Sequence, residues 1–258
     1  MRRAFTLIEL LVVIAIIGVL VGILLPSLGA ARLSAKSMVC ATRLQQIGVG
    51  ISLYWNEFDN QLPQAKGPLP GGGTSVIGTL FAGKKGQLPF YGIDSIGPIG
   101  RPLNKYVVGD AFPPDSTDQV VELQAFKSPV DRGATDTGVP IPGFDKTESM
   151  YDLVGCSYIL NDHTLEGEDK ATLVPMNPTT YQSGGKMPYV VNTAKTWMVG
   201  TQTIYNYQQD GDRGMRWFGG REVQANLLFV DLHSRSRVRV PEGVKNTTED
   251  YTFLPAGV

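Results

Sequence analysis

Glu9 is the residue whose type and position most demand a chemical reason. It follows Met1-Arg2-Arg3-Ala4-Phe5-Thr6-Leu7-Ile8 and precedes the run Leu10 to Leu25, which holds no charged or strongly polar side chain. A carboxylate at bilayer depth costs about 2.5–3.5 kcal/mol on insertion scales, so it marks function, and a positive group at the same depth would offset it. Other groups with chemical capacity are few. Cys40 and Cys156 are the two cysteines. Outside the cytoplasm they would form a disulfide tying helix to sheet, and closing so long a loop is worth about 4–5 kcal/mol in the entropy model. The alternative is that Cys40 is a small buried apolar group. Asp210-Gly211-Asp212-Arg213-Gly214 offers two carboxylates, Asp210 and Asp212, as calcium ligands, against the simpler reading of a plain turn. His163 and His233 are far apart, and no His-Glu-x-x-His or Cys-x-x-Cys is present, which argues against zinc. There is no nucleophile elbow, so no catalytic residue is assigned and the chain reads as a non-enzyme. His233 beside Asp231 shapes a turn.

The elements that position these groups begin with a helix. Phe5 to Leu25 spans roughly 31 Å at 1.5 Å per residue, matching a hydrocarbon core of about 30 Å. A cleavable secretory signal with Gly29-Ala30-Ala31 as its cut site fits less well, since such apolar cores run about 7–15 residues. A twin-arginine signal would need more than Arg2-Arg3. Positive charges flank the run on both sides (Arg2 and Arg3, then Arg32, Lys36 and Arg43), so charge alone leaves its orientation open. Beyond Pro26, which kinks rather than ends a helix, Leu33, Cys40, Leu44, Ile47, Ile51, Tyr54 and Phe58 form one apolar face. The helix then extends to about Phe58, roughly 80 Å in all, unless Pro26 separates a second, soluble helix. Asn60-Gln61-Leu62-Pro63 ends it.

The 258 residues carry a net charge of −1, so nothing suggests a nucleic-acid partner. Gly 30, Pro 17 and only 18% charged residues favour a loop-rich β structure. Residues 63–100 read as a long loop with at most short strands. Gly71-Gly72-Gly73 within it lacks the Gly-Lys-Ser/Thr of a phosphate loop and reads as flexible chain. Expected strands are Val120–Phe126, Cys156–Leu160, Tyr189–Val191, Thr196–Val199, Asn226–Val230 and Ser236–Val240, the last two forming a hairpin. Tyr205, Tyr207, Trp217 and Phe218 serve either as sheet core or as a surface platform for carbohydrate or protein. The fold class is α+β: a long helix, transmembrane then amphipathic, packed on a loop-rich antiparallel sheet in a lollipop.

The stretch Arg2-Arg3-Ala4-Phe5-Thr6-Leu7-Ile8-Glu9-Leu10-Leu11-Val12-Val13-Ile14-Ala15-Ile16-Ile17-Gly18 resembles the processing and methylation signal of type IV pilins and type II secretion pseudopilins. The resemblance implies cleavage between Ala4 and Phe5 by a prepilin peptidase, N-methylation of Phe5, and an assembly role for Glu9 toward a neighbouring amino terminus. Ala4 stands where the family usually has glycine. A second resemblance is to a large pseudopilin-like group of planctomycetes and verrucomicrobia. It rests on Gly219-Gly220-Arg221, Asn226 to His233, Cys40 with Leu44-Gln45-Gln46-Ile47-Gly48, and Tyr158-Ile159-Leu160-Asn161. That group ends its strand with Asp-Gly-His; here Leu232 replaces the glycine, which argues against a tight positive-φ turn. Its Cys-Pro-x-Asp element appears as Ser128-Pro129-Val130-Asp131.

These resemblances imply a leader at 1–4, a transmembrane segment at 5–25, an amphipathic half-helix at 26–60 and an extracytoplasmic domain at 61–258. They imply a filament subunit of a bacterial inner membrane, amino terminus cytoplasmic and carboxyl-terminal domain periplasmic. Its partners are the prepilin peptidase, other pilin subunits, the assembly platform and the membrane. Major pseudopilins of this class often hold one calcium in a carboxyl-terminal loop, which bears on Asp210 and Asp212; no other cofactor is implied. A second class of function stays open, a membrane-anchored extracytoplasmic binding module displayed through the same signal.

Overall fold

The computed structural model has one continuous α-helix, α1, at Leu7–Glu57. The structure describes residues 7–69, 71–116, 119, 121–175 and 184–256. Two compact units divide the chain, Met1–Lys36 and Ser37–Val258. In the first, Pro26 lies inside α1, and Ser27 Oγ donates back to the Leu24 carbonyl at 2.9 Å. The separate helix considered after Pro26 is not formed, because one missing N–H does not outweigh good helix formers on either side.

In the second unit the predicted apolar stripe is largely the buried one: Cys40, Leu44, Ile47, Ile51 and Tyr54, with Ser37, Gly48 and Gly50 added. Phe58 falls just past the helix and is 40% exposed. The two glycines set how closely α1 packs. A Cβ on Gly48 would meet Leu228 Cδ1 at 3.2 Å, and one on Gly50 would meet Val107 Cγ2 at 2.6 Å. Asp59 and Asn60, both at positive φ, turn the chain away from α1.

Two short strands follow, β1 (Lys66–Pro68) and β2 (Thr74–Val76), paired antiparallel. The glycine triplet is the turn of this hairpin, with Gly72 and Gly73 at positive φ, rather than unstructured chain. The helices α2 (Asn104–Val107) and α3 (Met150–Val154) are single turns. The remaining strands are β3 (Tyr158–Leu160), β4 (His163–Thr164), β5 (Gly167–Ala171), β6 (Trp197–Thr201), β7 (Val223–Phe229) and β8 (Ser234–Val240). An antiparallel sheet orders them β3-β6-β7-β8, and β4 pairs with β5. The fold is α+β, as expected, with a core of Trp197, Tyr205, Leu227, Phe229, Tyr251 and Phe253.

Two expected strands are absent among the described residues. In the Val120–Phe126 segment, where Val120 lies outside the described residues, the chain ends in a 3₁₀ turn at Gln124–Phe126. Its apolar residues Leu123 and Phe126 are buried by loop packing, which mimics a strand signal. Tyr189 and Val191 are exposed and have no strand beside them among the described residues. The sequence reading has no β4–β5 hairpin, since Glu166, Glu168, Asp169 and Lys170 break the apolar pattern.

The β7–β8 turn also corrects an expectation. Leu232 does adopt positive φ, at 68°. The left-handed region costs a non-glycine residue roughly 1–2 kcal/mol. Here Asp231 Oδ1 accepts the His233 N–H at 3.1 Å and faces its ring Nδ1 at 2.5 Å, while the His233 and Phe229 rings stack at 4.4 Å. The Leu232 side chain reaches the open face of Gly48. These contacts hold the strained residue in place.

Asn226 joins helix to sheet. It is fully buried at the β7–β8 register shift, its Nδ2 donates to Ser37 O at 3.2 Å, and its Oδ1 accepts the Arg237 N–H at 2.8 Å. Replacing it with Leu removes the donor to the buried Ser37 carbonyl and the acceptor of the half-buried Arg237 N–H, so Asn226→Leu is expected to lower unfolding stability by about 1–3 kcal/mol, read from urea midpoints.

Candidate functional site

Ala4 and Phe5 lie outside the described residues. Glu9 stands in the first turn of α1. Around it, no described side chain from 7 to 32 is buried, and large apolar groups such as Leu7, Ile8, Leu11 and Ile14 are exposed. Among the described residues α1 is the one helix long and apolar enough to cross a membrane. Uncovered apolar surface on this scale marks a face that meets lipid or other chains.

At the other end of α1, Cys40 and Cys156 are free, buried thiols. The bridge considered from sequence is not formed. Tyr158 explains why: its hydroxyl reaches Cys40 Sγ at 3.5 Å, while its backbone N–H donates to Cys156 Sγ at 3.4 Å, so the length of a tyrosine side chain stands between the sulfurs. Burial pushes both thiols up, Cys156 to about 12, so each stays protonated and unreactive at neutral pH. The true neighbour of Cys40 is Ser128, whose Oγ donates to Sγ at 3.3 Å.

Asp131, three residues on, organises this corner. Its carboxylate accepts N–H groups of Gly133, Met150 and Tyr151 at 2.8–3.0 Å and the Ser157 hydroxyl at 2.6 Å. Burial pushes the Asp131 carboxyl up, against the four donors that pull it down. Together with Ser149, which accepts the Asp152 N–H, it satisfies the first turn of α3.

Asp210 and Asp212 serve different partners. Asp212 accepts from Arg216 at 2.6 Å, Asn206 at 2.9 Å and Gly214 N–H at 2.9 Å, and its pKa is held down to about 2, chiefly by the Arg216 hydrogen bond. Asp210 accepts the Val244 N–H at 3.3 Å. Among the described residues no group of three His, Cys, Asp or Glu side chains is placed to hold a metal ion. Tyr205, Tyr207, Trp217 and Phe218 are all buried, so they form core and not a platform.

Sequence inspection missed a cavity of about 660 Å³. Val76, Ile93, Ile141, Met150, Leu153 and Val174 are among its apolar walls, and Asp162, His163, Gln208 and Arg213 form a polar side. His163 Nδ1 lies 2.8 Å from Asp162 Oδ1, its Nε2 lies 3.0 Å from Gln208 Nε2, and Gln208 Oε1 accepts from Arg213 at 2.9 Å. Tyr205 stacks on the imidazole at 4.6 Å and donates its hydroxyl to His163 O at 2.9 Å. The adjacent Asp162-His163 pair was the visible signal; its partners come from over 40 residues away.

Residues 1–25 match the family model for the prokaryotic N-terminal methylation motif. The chain therefore carries the prepilin-type signal of type IV pilins and pseudopilins, and with the apolar first part of α1 that signal marks it for membrane anchoring. Comparison with curated proteins and with solved structures finds no match.

Two outcomes follow from this geometry. Ser128→Cys is expected to pair with Cys40 when the chain folds under oxidising conditions, seen after denaturation as one alkylated thiol instead of three and as about 2–4 kcal/mol of added stability. Asp212 has its folded pKa depressed, so its contribution is full above the ordinary carboxylate pKa and is lost as pH falls toward about 2. The melting temperatures of wild type and Asp212→Asn should differ at pH 6 and converge by about pH 2.

Proposed function

We propose that this chain is a pilin-type structural subunit of a type II secretion pseudopilus or a type IV pilus. The observation that carries this is the coincidence of the methylation motif at 1–25 with a helix whose apolar side chains are uncovered from residue 7 to residue 32. A prepilin peptidase on the cytoplasmic side of a bacterial inner membrane removes residues 1–4. Phe5 becomes the methylated amino terminus, and the domain after α1 faces the periplasm.

Glu9 then supplies register. Its carboxylate meets the methylated amine of Phe5 in a neighbouring subunit as the subunit leaves the bilayer for the filament through the assembly platform. Attraction between unit charges is strong in a low-dielectric setting, yet it must cover the desolvation of both ions. The pair therefore selects position more than it adds stability. Apolar helix faces provide the bulk of the association, and a head-to-tail contact that does not close gives a helical filament.

Intact mass and amino-terminal sequencing of protein from its native membrane should find N-methyl-Phe5. A start near Ala31, or an unprocessed Met1, would overturn the assignment. Glu9→Ala is expected to insert and fold as wild type while its recovery in sheared filaments falls at least tenfold. Normal incorporation of that variant would remove the role given to Glu9.

A further inference from the structure

The cavity beside His163 is built to receive a particular chemistry. His163 itself is spent, since both ring nitrogens are engaged and Tyr205 covers its face. Asp162 is not. Its side chain is only 10% exposed, and its hydrogen bonds from His163 and Tyr205 both go to Oδ1. Oδ2 accepts no hydrogen bond from any described residue. It lies against Gly78, where an added Cβ would come within 2.6 Å of it, so the absence of a side chain there leaves room for the carboxylate. Gly78 and Asp162 both line the cavity.

A buried carboxylate oxygen gains most from a charged or N–H donor. The guanidinium of Arg213 sits at the other end of the relay, donating to Gln208 Oε1 at 2.9 Å. The remaining wall is predominantly aliphatic and aromatic, and the volume lies within the range of small-molecule sites. We propose that this cavity binds a small apolar molecule bearing an ammonium group, with Asp162 Oδ2 as the acceptor. An aliphatic or aromatic amine and the amino terminus of a short apolar peptide share that chemistry. The site belongs to the second compact unit, and its occupancy does not depend on filament assembly.

The test is binding of 2-phenylethylamine, 2-phenylethanol and phenylacetate to the full chain in detergent, followed by saturation-transfer NMR and calorimetry. The amine should bind at least tenfold more tightly than the acid, with the alcohol between them. Asp162→Asn should weaken the amine at least tenfold and change the alcohol less than threefold. Ile141→Trp, a half-buried wall position, should abolish binding of both, and it decides the matter if the Asn variant does not fold. Val-Val-Val amide, with a free amino terminus, should compete with the amine if peptides are taken as well; failure to compete restricts the class to small amines. Equal binding of amine and acid, or amine binding undiminished in Ile141→Trp or folded Asp162→Asn, would overturn the proposal.

Discussion

Buried backbone groups with no strand or helix to pair them are the constraint on which the second unit depends. An unsatisfied buried donor or acceptor costs about 1–3 kcal/mol, and a loop-rich domain creates many of them. Here side chains replace the missing ladders. Arg101 is the clearest case: it is fully buried and its guanidinium donates to carbonyls of Thr79, Ala82, Ile93, Ile96 and Val154. Burial lowers its pKa to about 10, which still leaves it charged at neutral pH. Asn104 closes a reciprocal pair with Gly83, and Asp115 collects the N–H groups of Gly97, Ile99 and Gly100. Asn161 does the same beside the sheet, donating to Trp197 O and Phe253 O.

Apart from β1, β2 and the 3₁₀ turn at Gly78–Phe81, the described glycines and prolines of 63–100 thus have a fixed structure without regular elements. Gly83 at φ 102° and Gly155 at φ 85° let two backbones meet where a Cβ would lie about 2 Å from a carbonyl oxygen. Close backbone approach and side-chain donors are complementary: the first buries the carbonyls, and the second satisfies them.

How much of this was legible in sequence follows from range. The buried stripe on α1 repeats every three or four residues, β6 and β7 are largely apolar, and β8 ends in an alternation of Val238 and Val240 with arginines, so periodicity finds them. The methylation signal is contiguous. Arg101, Asp131 and Asn161 leave no such trace, because their partners are set by loop paths and not by spacing. The cavity has the same character, gathering residues from 75 to 213. Leu232 shows the opposite error: a local rule about glycine was overridden by Asp231, His233 and the space above Gly48. Cys40 and Cys156 invited pairing only because they were the two sulfurs available; Tyr158 keeps them apart.

That separation gives the molecule two independent chemical clocks. Cys40 is sealed where α1 meets the sheet, and Cys156 is sealed beneath the Gly83 and Arg101 corner. Neither thiol reacts until its own cover lifts, so the rate at which each takes up a thiol reagent times a different opening: detachment of the helix for one, loosening of the loop lattice for the other. A subunit pulled along α1 would start the first clock and leave the second still.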